Sequence, residues 1–221
     1  VNMYGLKDNV ARKAGTMGKE ENREMEFWTQ EEFQAFLEFV ADKPISYFAF
    51  EMLYWTGIRE GELLALTPAD FNFEKKTLRI NKSYQRLEGK DVITDPKTPK
   101  SNRTIVMPDF FAVEMEDFIS SLYGIKDDDR IFTISKSYLH HEMDRGAKLA
   151  GVKRIRIHGL RHSHISLLID LGFSALAIGE RVGHEAVDIT YHYAHLFPTV
   201  QTDMAAQLET EREALVNVRK E

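Results

Sequence analysis

Several stretches of this chain carry side chains suited to a phosphate group. Arg59 directly follows the Gly57-Ile58 break, where a helix begins. A guanidinium there can face an anion together with the free N–H groups of the helix start. Glu62, three residues on, is placed to hold that arginine. As an isolated surface pair the two would contribute little. In 158-HGLRHSH-164, His158, Arg161 and His162 fall at i, i+3 and i+4 and so share one helical face. Arginine offers bidentate charge to phosphate oxygens, and imidazole carries protons near neutral pH. The one-turn spacing of His158 and His162 also suits a metal pair. Against a metal stand the missing HExxH glutamate, the absence of cysteine and a cation in the middle of the face. Histidines that merely cap a core helix would give the same pattern.

Further on, 183-GHEAVDITYHYAHL-196 holds His184 and two tyrosines, Tyr191 and Tyr193. A phenol with pKa ~10 is a poor nucleophile at neutral pH unless nearby cations stabilise the charge it develops. At about 100° per residue, positions two apart point to nearly opposite faces, so at most one tyrosine faces a given site. Val187, Tyr191 and Ala194 form one stripe, while Ile189, Tyr193 and Leu196 form another. Spacing does not choose between them, and both could be packed aromatics.

The elements that must position these groups are mostly helical. Thr29 and Glu32 make a capping-box pattern ahead of Phe33, Phe36, Leu37 and Val40. Pro44 opens a second helix, with Ile45, Phe48, Ala49, Met52 and Leu53 on one stripe, and Gly57 stops it. A short helix over 59–66 ends at Thr67-Pro68. Residues 77–84 and 91–94 flank a turn at Glu88-Gly89-Lys90, and 103–107 follow a proline-containing loop, which predicts three short antiparallel strands. Helical spacing returns from Phe111 to Leu122, then over 135–150, from the basic 152-VKRIRIHG-159 to Leu171, over 174–182, and onward to the end. The expected fold class is mainly α with a small three-stranded antiparallel β-sheet (α+β).

With 221 residues, 43% apolar, the chain can bury a substantial core. The absence of cysteine excludes disulfides and thiolate metal sites and fits a cytoplasmic setting. No apolar run approaches the ~20 residues a membrane span needs, and residues 1–26 lack the pattern of a signal peptide. The net charge of −6 argues against a nucleic-acid partner only on average, because phosphate contacts depend on local charge. From Arg145 to Ile169 there are six Lys or Arg and no acidic residue, and 97-KTPKSNR-103 forms a second basic cluster. Candidate phosphate contacts are Lys100, Arg103, Lys153, Arg154 and Arg156, although solvated charged faces would look the same.

Taken together, 56-TGIREGELLAL-66, 96-PKTPKSNRTI-105, 158-HGLRH-162, 183-GH-184 and the Tyr193 of YAHL resemble the catalytic domain of tyrosine recombinases, the phage and transposon integrase group. Order and spacing match over roughly residues 29–197. The resemblance implies that Arg59 and Arg161 clamp a scissile phosphate, that His158 assists proton transfer and that His184 hydrogen-bonds a phosphate oxygen. It makes Lys97, rather than Lys100, the general acid, because Ser101 completes a Lys-Thr-x-x-Ser pattern. It selects Tyr193, nine residues after His184, as the nucleophile.

The implied enzyme is a site-specific recombinase working through a 3′-phosphotyrosyl intermediate, with no cofactor and no metal. Its implied partners are double-stranded DNA, three further copies in a homotetramer, and accessory factors such as an excisionase or a DNA-bending protein; no membrane is implied. Residues 1–26 are then a linker from an N-terminal DNA-binding region and 27–197 the catalytic domain. Residues 198–221 form a tail helix, exchanged between protomers or folded back. The long KTPKSNR hairpin favours a mobile-element enzyme. The alternatives are a Xer-like chromosome-dimer resolvase, a non-catalytic DNA-binding module of the same fold, and a metal-dependent phosphodiesterase.

Overall fold

The computed structural model describes residues 25–96, 99–184, 188, 192–193, 208–210 and 212. Helix α1 (Gln30–Glu38) starts at the expected capping box: Glu32 N–H donates to Thr29 Oγ1 at 3.2 Å and Thr29 N–H to Glu32 Oε2 at 2.9 Å. Its buried face, Phe33, Phe36 and Leu37, lies against α2 (Pro44–Thr56), with Phe33 stacked on Tyr54 and Phe36 edge-on to Phe50. Pro44 sits where its missing N–H costs nothing, and Gly57 ends α2 in the left-handed region, φ 65°. A short α3 (Glu60–Leu63) follows.

Helices α4 (Asp109–Ser121), α5 (Lys136–Ala150), α6 (Ile157–Asp170) and α7 (Ala175–Val182) complete the described helical elements. One core, rich in Leu, Ile and Phe, joins α1 to α5 with the start of α6. A separate small cluster, Ile165, Ile169, Ile178, Val182 and Tyr193, joins α6 to α7. Trp28 ties the segment before α1 to both ends of the 153–163 stretch, donating from Nε1 to the Lys153 carbonyl at 2.7 Å and from its N–H to Ser163 Oγ at 2.8 Å.

The β-structure differs from the expectation. Strands β1 (Phe71–Asn72), β2 (Thr77–Ile80) and β5 (Arg103–Val106) form one antiparallel sheet in the order β1-β2-β5, while β3 (Ser83–Leu87) and β4 (Lys90–Thr94) form a separate hairpin. The stretch 77–84 is therefore two strands, broken at Asn81-Lys82. The break is pinned by Lys82, whose ammonium donates to Asp70 Oδ2 at 2.6 Å and Thr67 Oγ1 at 3.0 Å. The hairpin turn is Glu88-Gly89, both at positive φ, and Lys90 already belongs to β4.

No helix among the described residues is long and apolar enough to cross a membrane. The expected linker up to residue 24 and most of the expected tail lie outside the described residues; Leu208–Thr210 and Arg212 within the tail are helical.

Candidate active site

The site is organised by the C-terminus of α7. The last carbonyls of a helix have no partner within it and carry partial negative charge. Gly183 caps α7 in the left-handed conformation, φ 71°, and the N–H groups of Gly183 and His184 return to the Gly179 carbonyl. The carbonyls of Arg181, Val182 and Gly183 each receive an arginine from a different part of the fold. Arg103 Nε donates to Arg181 O at 2.9 Å, Arg161 Nη2 to Val182 O, and Arg59 Nη2 to Gly183 O at 3.5 Å. Three cations distant in sequence thus converge on one helix end. A Cβ at Gly183 would stand 2.9 Å from the Lys100 carbonyl, so only glycine lets the 99–101 turn approach this closely.

Arg59 and Arg103 share Glu62. Arg59 gives its N–H to Oε2 and its Nη1 to Oε1, both at 2.9 Å; Arg103 donates to the same two oxygens at 2.9 and 3.1 Å. Burial opposes the ionised form of Glu62, yet Arg103 and Arg59 together hold its pKa below the usual carboxylate value. Arg161 is treated differently. It is 1% exposed, and among the described residues it donates to carbonyls, Gly57 O at 2.6 Å and Val182 O. Its Nε is buried without a partner among the described residues. Burial, with Arg59 and Arg103 nearby, pulls its pKa down to about 9, so it remains cationic at neutral pH.

The imidazoles stand around these cations. His158 is lowered by desolvation and by Arg161 and Arg59; His184 is pushed down to about 3 by burial and by Arg161 and Arg59. Both are neutral at pH 7, able to donate one N–H each without adding charge. Tyr193 is 2% exposed within the small α6–α7 cluster. Burial raises its phenol above the ordinary value, while Arg161 pulls the other way. Its hydroxyl is hydrogen-bonded to Nδ1 of His162, whose own pKa falls to about 4 through burial and the neighbouring His158, Arg161 and His192.

The structure therefore brings together Arg59, His158, Arg161, His184 and Tyr193. Lys97 and Tyr191 lie outside the described residues. The sequence reading of Arg103 as a DNA contact is corrected: its side chain is 6% exposed and bonded to Glu62, Arg181 O and Ser101 O, which leaves little of it for a phosphate. Strand parity could have warned of this, because Arg103 shares its face with buried Ile105.

Lys100 is exposed on the 99–101 turn. Lys153 and Arg154 are about half exposed and paired with Glu32 at 3.8 Å and Asp144 at 2.7 Å; Arg156 is exposed just before α6. Sequence reasoning missed Arg181, which ties α7 to α2 and β5 through Trp55 O, Val106 O and His164. It also left His162 without a part beyond its helical face. Among the described residues, no group of three or more His, Asp or Glu side chains is arranged to hold a metal ion.

The comparisons with known proteins agree with this geometry. The chain is 32% identical over 218 residues to the ICEBs1 integrase of Bacillus subtilis, covering 91% of this chain and 58% of that protein. It is 30% identical over 179 residues to the integrase of Staphylococcus phage L54a, covering 73% and 51%. It thus spans little more than half the length of these relatives. Its fold matches the Tn1549 transposon integrase in complex with a circular intermediate DNA, TM-score 0.72 at 21% identity, covering 86% of this chain and 68% of that one. It also matches the XerA recombinase, TM-score 0.63 at 20% identity, covering 87% and 66%. The family model that describes the phage integrase family matches residues 26–199. This chain belongs to the phage integrase family.

Proposed function

We propose that the chain is the catalytic part of a site-specific recombinase that cuts and rejoins double-stranded DNA, serving the integration and excision of a mobile element. The observation that carries this reading is the convergence of Arg59 and Arg161 on one helix end, with Arg161 cationic, buried and without a carboxylate partner among the described residues. A fixed positive site with neutral imidazoles around it suits a phosphodiester whose charge grows during reaction.

In this reading Tyr193 Oη attacks the phosphorus, forming a 3′-phosphotyrosyl bond as the bond to the 5′ oxygen breaks. Arg59 and Arg161 hold the non-bridging oxygens, and His184 donates to one of them. His158 assists proton transfer, and Lys97 protonates the leaving oxygen. The freed 5′ hydroxyl of a partner strand then attacks the phosphotyrosine and restores a phosphodiester. A cleft of about 570 Å³ beside Arg59, lined by Lys82, Ser83, Gln85 and Thr94, offers room for the adjoining nucleotide. Four copies would act together on two duplexes inside the cell, helped by DNA-bending or excision factors, with exposed Lys100, Lys153, Arg154 and Arg156 on the backbone.

The matches to Xer-type proteins favour a second reading, a chromosome-dimer resolvase. Deleting the gene separates the two: loss of the circular excised element supports the first, accumulation of chromosome dimers the second. The enzymatic claim is tested with a duplex nicked near the crossover, on which wild type should form a covalent adduct and Tyr193→Phe none. Adduct formation undiminished in Tyr193→Phe contradicts it.

A further inference from the structure

The hydroxyl proposed as nucleophile is not held by His158. Its partner among the described residues is Nδ1 of His162, one turn further along α6. The rings of His158 and His162 meet edge-on with centroids 4.9 Å apart, so His158 backs the His162 ring. Among the described residues, the titratable groups facing His162 are His158 and Arg161 from its own helix, His184 after α7, and His192 and Tyr193 from the following segment. None of them is a carboxylate. With these cations and imidazoles around it, His162 is neutral in the free chain, and in the tautomer that carries its proton on Nε2 the Nδ1 accepts from the phenol O–H.

From this arrangement we infer that His162 is a catalytic residue: it aims the Tyr193 hydroxyl and takes its proton as the phenol oxygen attacks. The proposal rests on the strand-cleavage reading above and adds to it the acceptor of the first proton. In the step, the Tyr193 O–H proton moves to His162 Nδ1, the Oη–P bond forms and the P–O5′ bond breaks. The 5′ oxygen receives a separate proton from the general acid. On rejoining, His162 returns its proton to the phenol oxygen.

The surroundings make this proton transfer depend on substrate. In the empty site the neighbouring cations oppose protonation of His162. A phosphate anion seated between Arg59 and Arg161 offsets those cations and raises the affinity of His162 for a proton. The base gains strength only when there is something to cleave, and Tyr193 otherwise stays buried and protonated.

The test uses the protein that carries this chain and a nicked duplex bearing the junction formed when the ends of the encoding element are joined. Single-turnover adduct formation should fall about 100-fold or more in both His162→Ala and His162→Asn. Asparagine can place an acceptor near the Nδ1 position but cannot take up a proton, so it should not restore the rate. Free imidazole should partly rescue His162→Ala. With a 5′-thiol leaving group, the defect of Lys97→Ala should shrink while that of His162→Asn persists.

Without DNA, the Tyr193 ring-carbon NMR signal of the isotope-labelled protein should move in His162→Ala, and its dispersion shows whether the variant is folded. Wild-type rates in His162→Asn, or an unmoved Tyr193 signal in folded His162→Ala, would overturn the assignment of His162 alone. A wild-type protein that makes no adduct overturns the cleavage reading beneath it.

Discussion

Arg103 and Arg161 both have nearly covered side chains, and they donate to adjacent carbonyls at the end of α7. Arg103 meets the carboxylate of Glu62 through both terminal nitrogens, so its charge is paired inside the fold with an anion it shares with Arg59. Arg161 donates only to carbonyls among the described residues, and its Nε has no partner there. Removing a cation from water without a counter-ion is costly unless an anion arrives later. The pair suggests that in this fold function lies where charge is left uncompensated, and structure where it is balanced.

The sharpest way to break the comparison is to remove each charge while keeping bulk. Arg161→Met should lower single-turnover DNA cleavage by at least about 10²–10³-fold, with a smaller loss of stability than its burial suggests. Arg103→Met should do the reverse in kind, because it takes from the buried Glu62 carboxylate one of the two arginines that hold it: denaturant titration should show a loss of about 1.5–3 kcal/mol. Adding Glu62→Gln to Arg103→Met should recover part of that stability. If Arg161→Met destabilises as much as Arg103→Met and cleaves normally, the contrast is wrong.

Acid should act on both regions in the same direction. His162, His164 and His184 have folded pKa values of about 4, 3 and 3, below the ordinary 6.5. Between pH 6.5 and about 4 the unfolded chain binds protons that the folded chain refuses, so stability falls as pH falls through that window. Glu62, also lowered, adds stability above the ordinary carboxylate value that is lost as pH falls through its folded pKa. His164 is fully buried and accepts from Arg181 Nε at 3.0 Å, so His164→Gln should flatten the slope of unfolding midpoint against pH. An unchanged slope contradicts a neutral His164. The smallest effect is expected at the exposed cations: Arg156→Gln should weaken DNA binding evenly across sequences and reduce the salt dependence by about one phosphate contact.

Much of the site was legible because its residues sit at helix boundaries that the sequence marks. Gly57 and Gly183 end helices, Arg59 and His158 begin them, and i, i+3, i+4 spacing put Arg161 beside His158. The β-structure was less legible. Residues 77–84 keep the look of one strand, and the break comes from a buried contact of Lys82 with Asp70 that no local pattern announces. Arg103 was misread because its basic neighbours suggested a surface while its strand parity pointed inward. The organising feature, three carbonyls receiving three arginines, is made of backbone and leaves no mark in side-chain types. His162 stood in plain view, but its partner lies 31 residues away.

The central claim is that one phenol is delivered to a phosphate held by Arg59 and Arg161. Its most direct test is to trap the covalent adduct on the nicked duplex, digest it, and locate the nucleotide-bearing peptide by mass spectrometry. The account predicts the modification on Tyr193, and its loss in Tyr193→Phe with a normal yield in Tyr191→Phe. Modification of Tyr191, or an adduct that survives Tyr193→Phe, would contradict it.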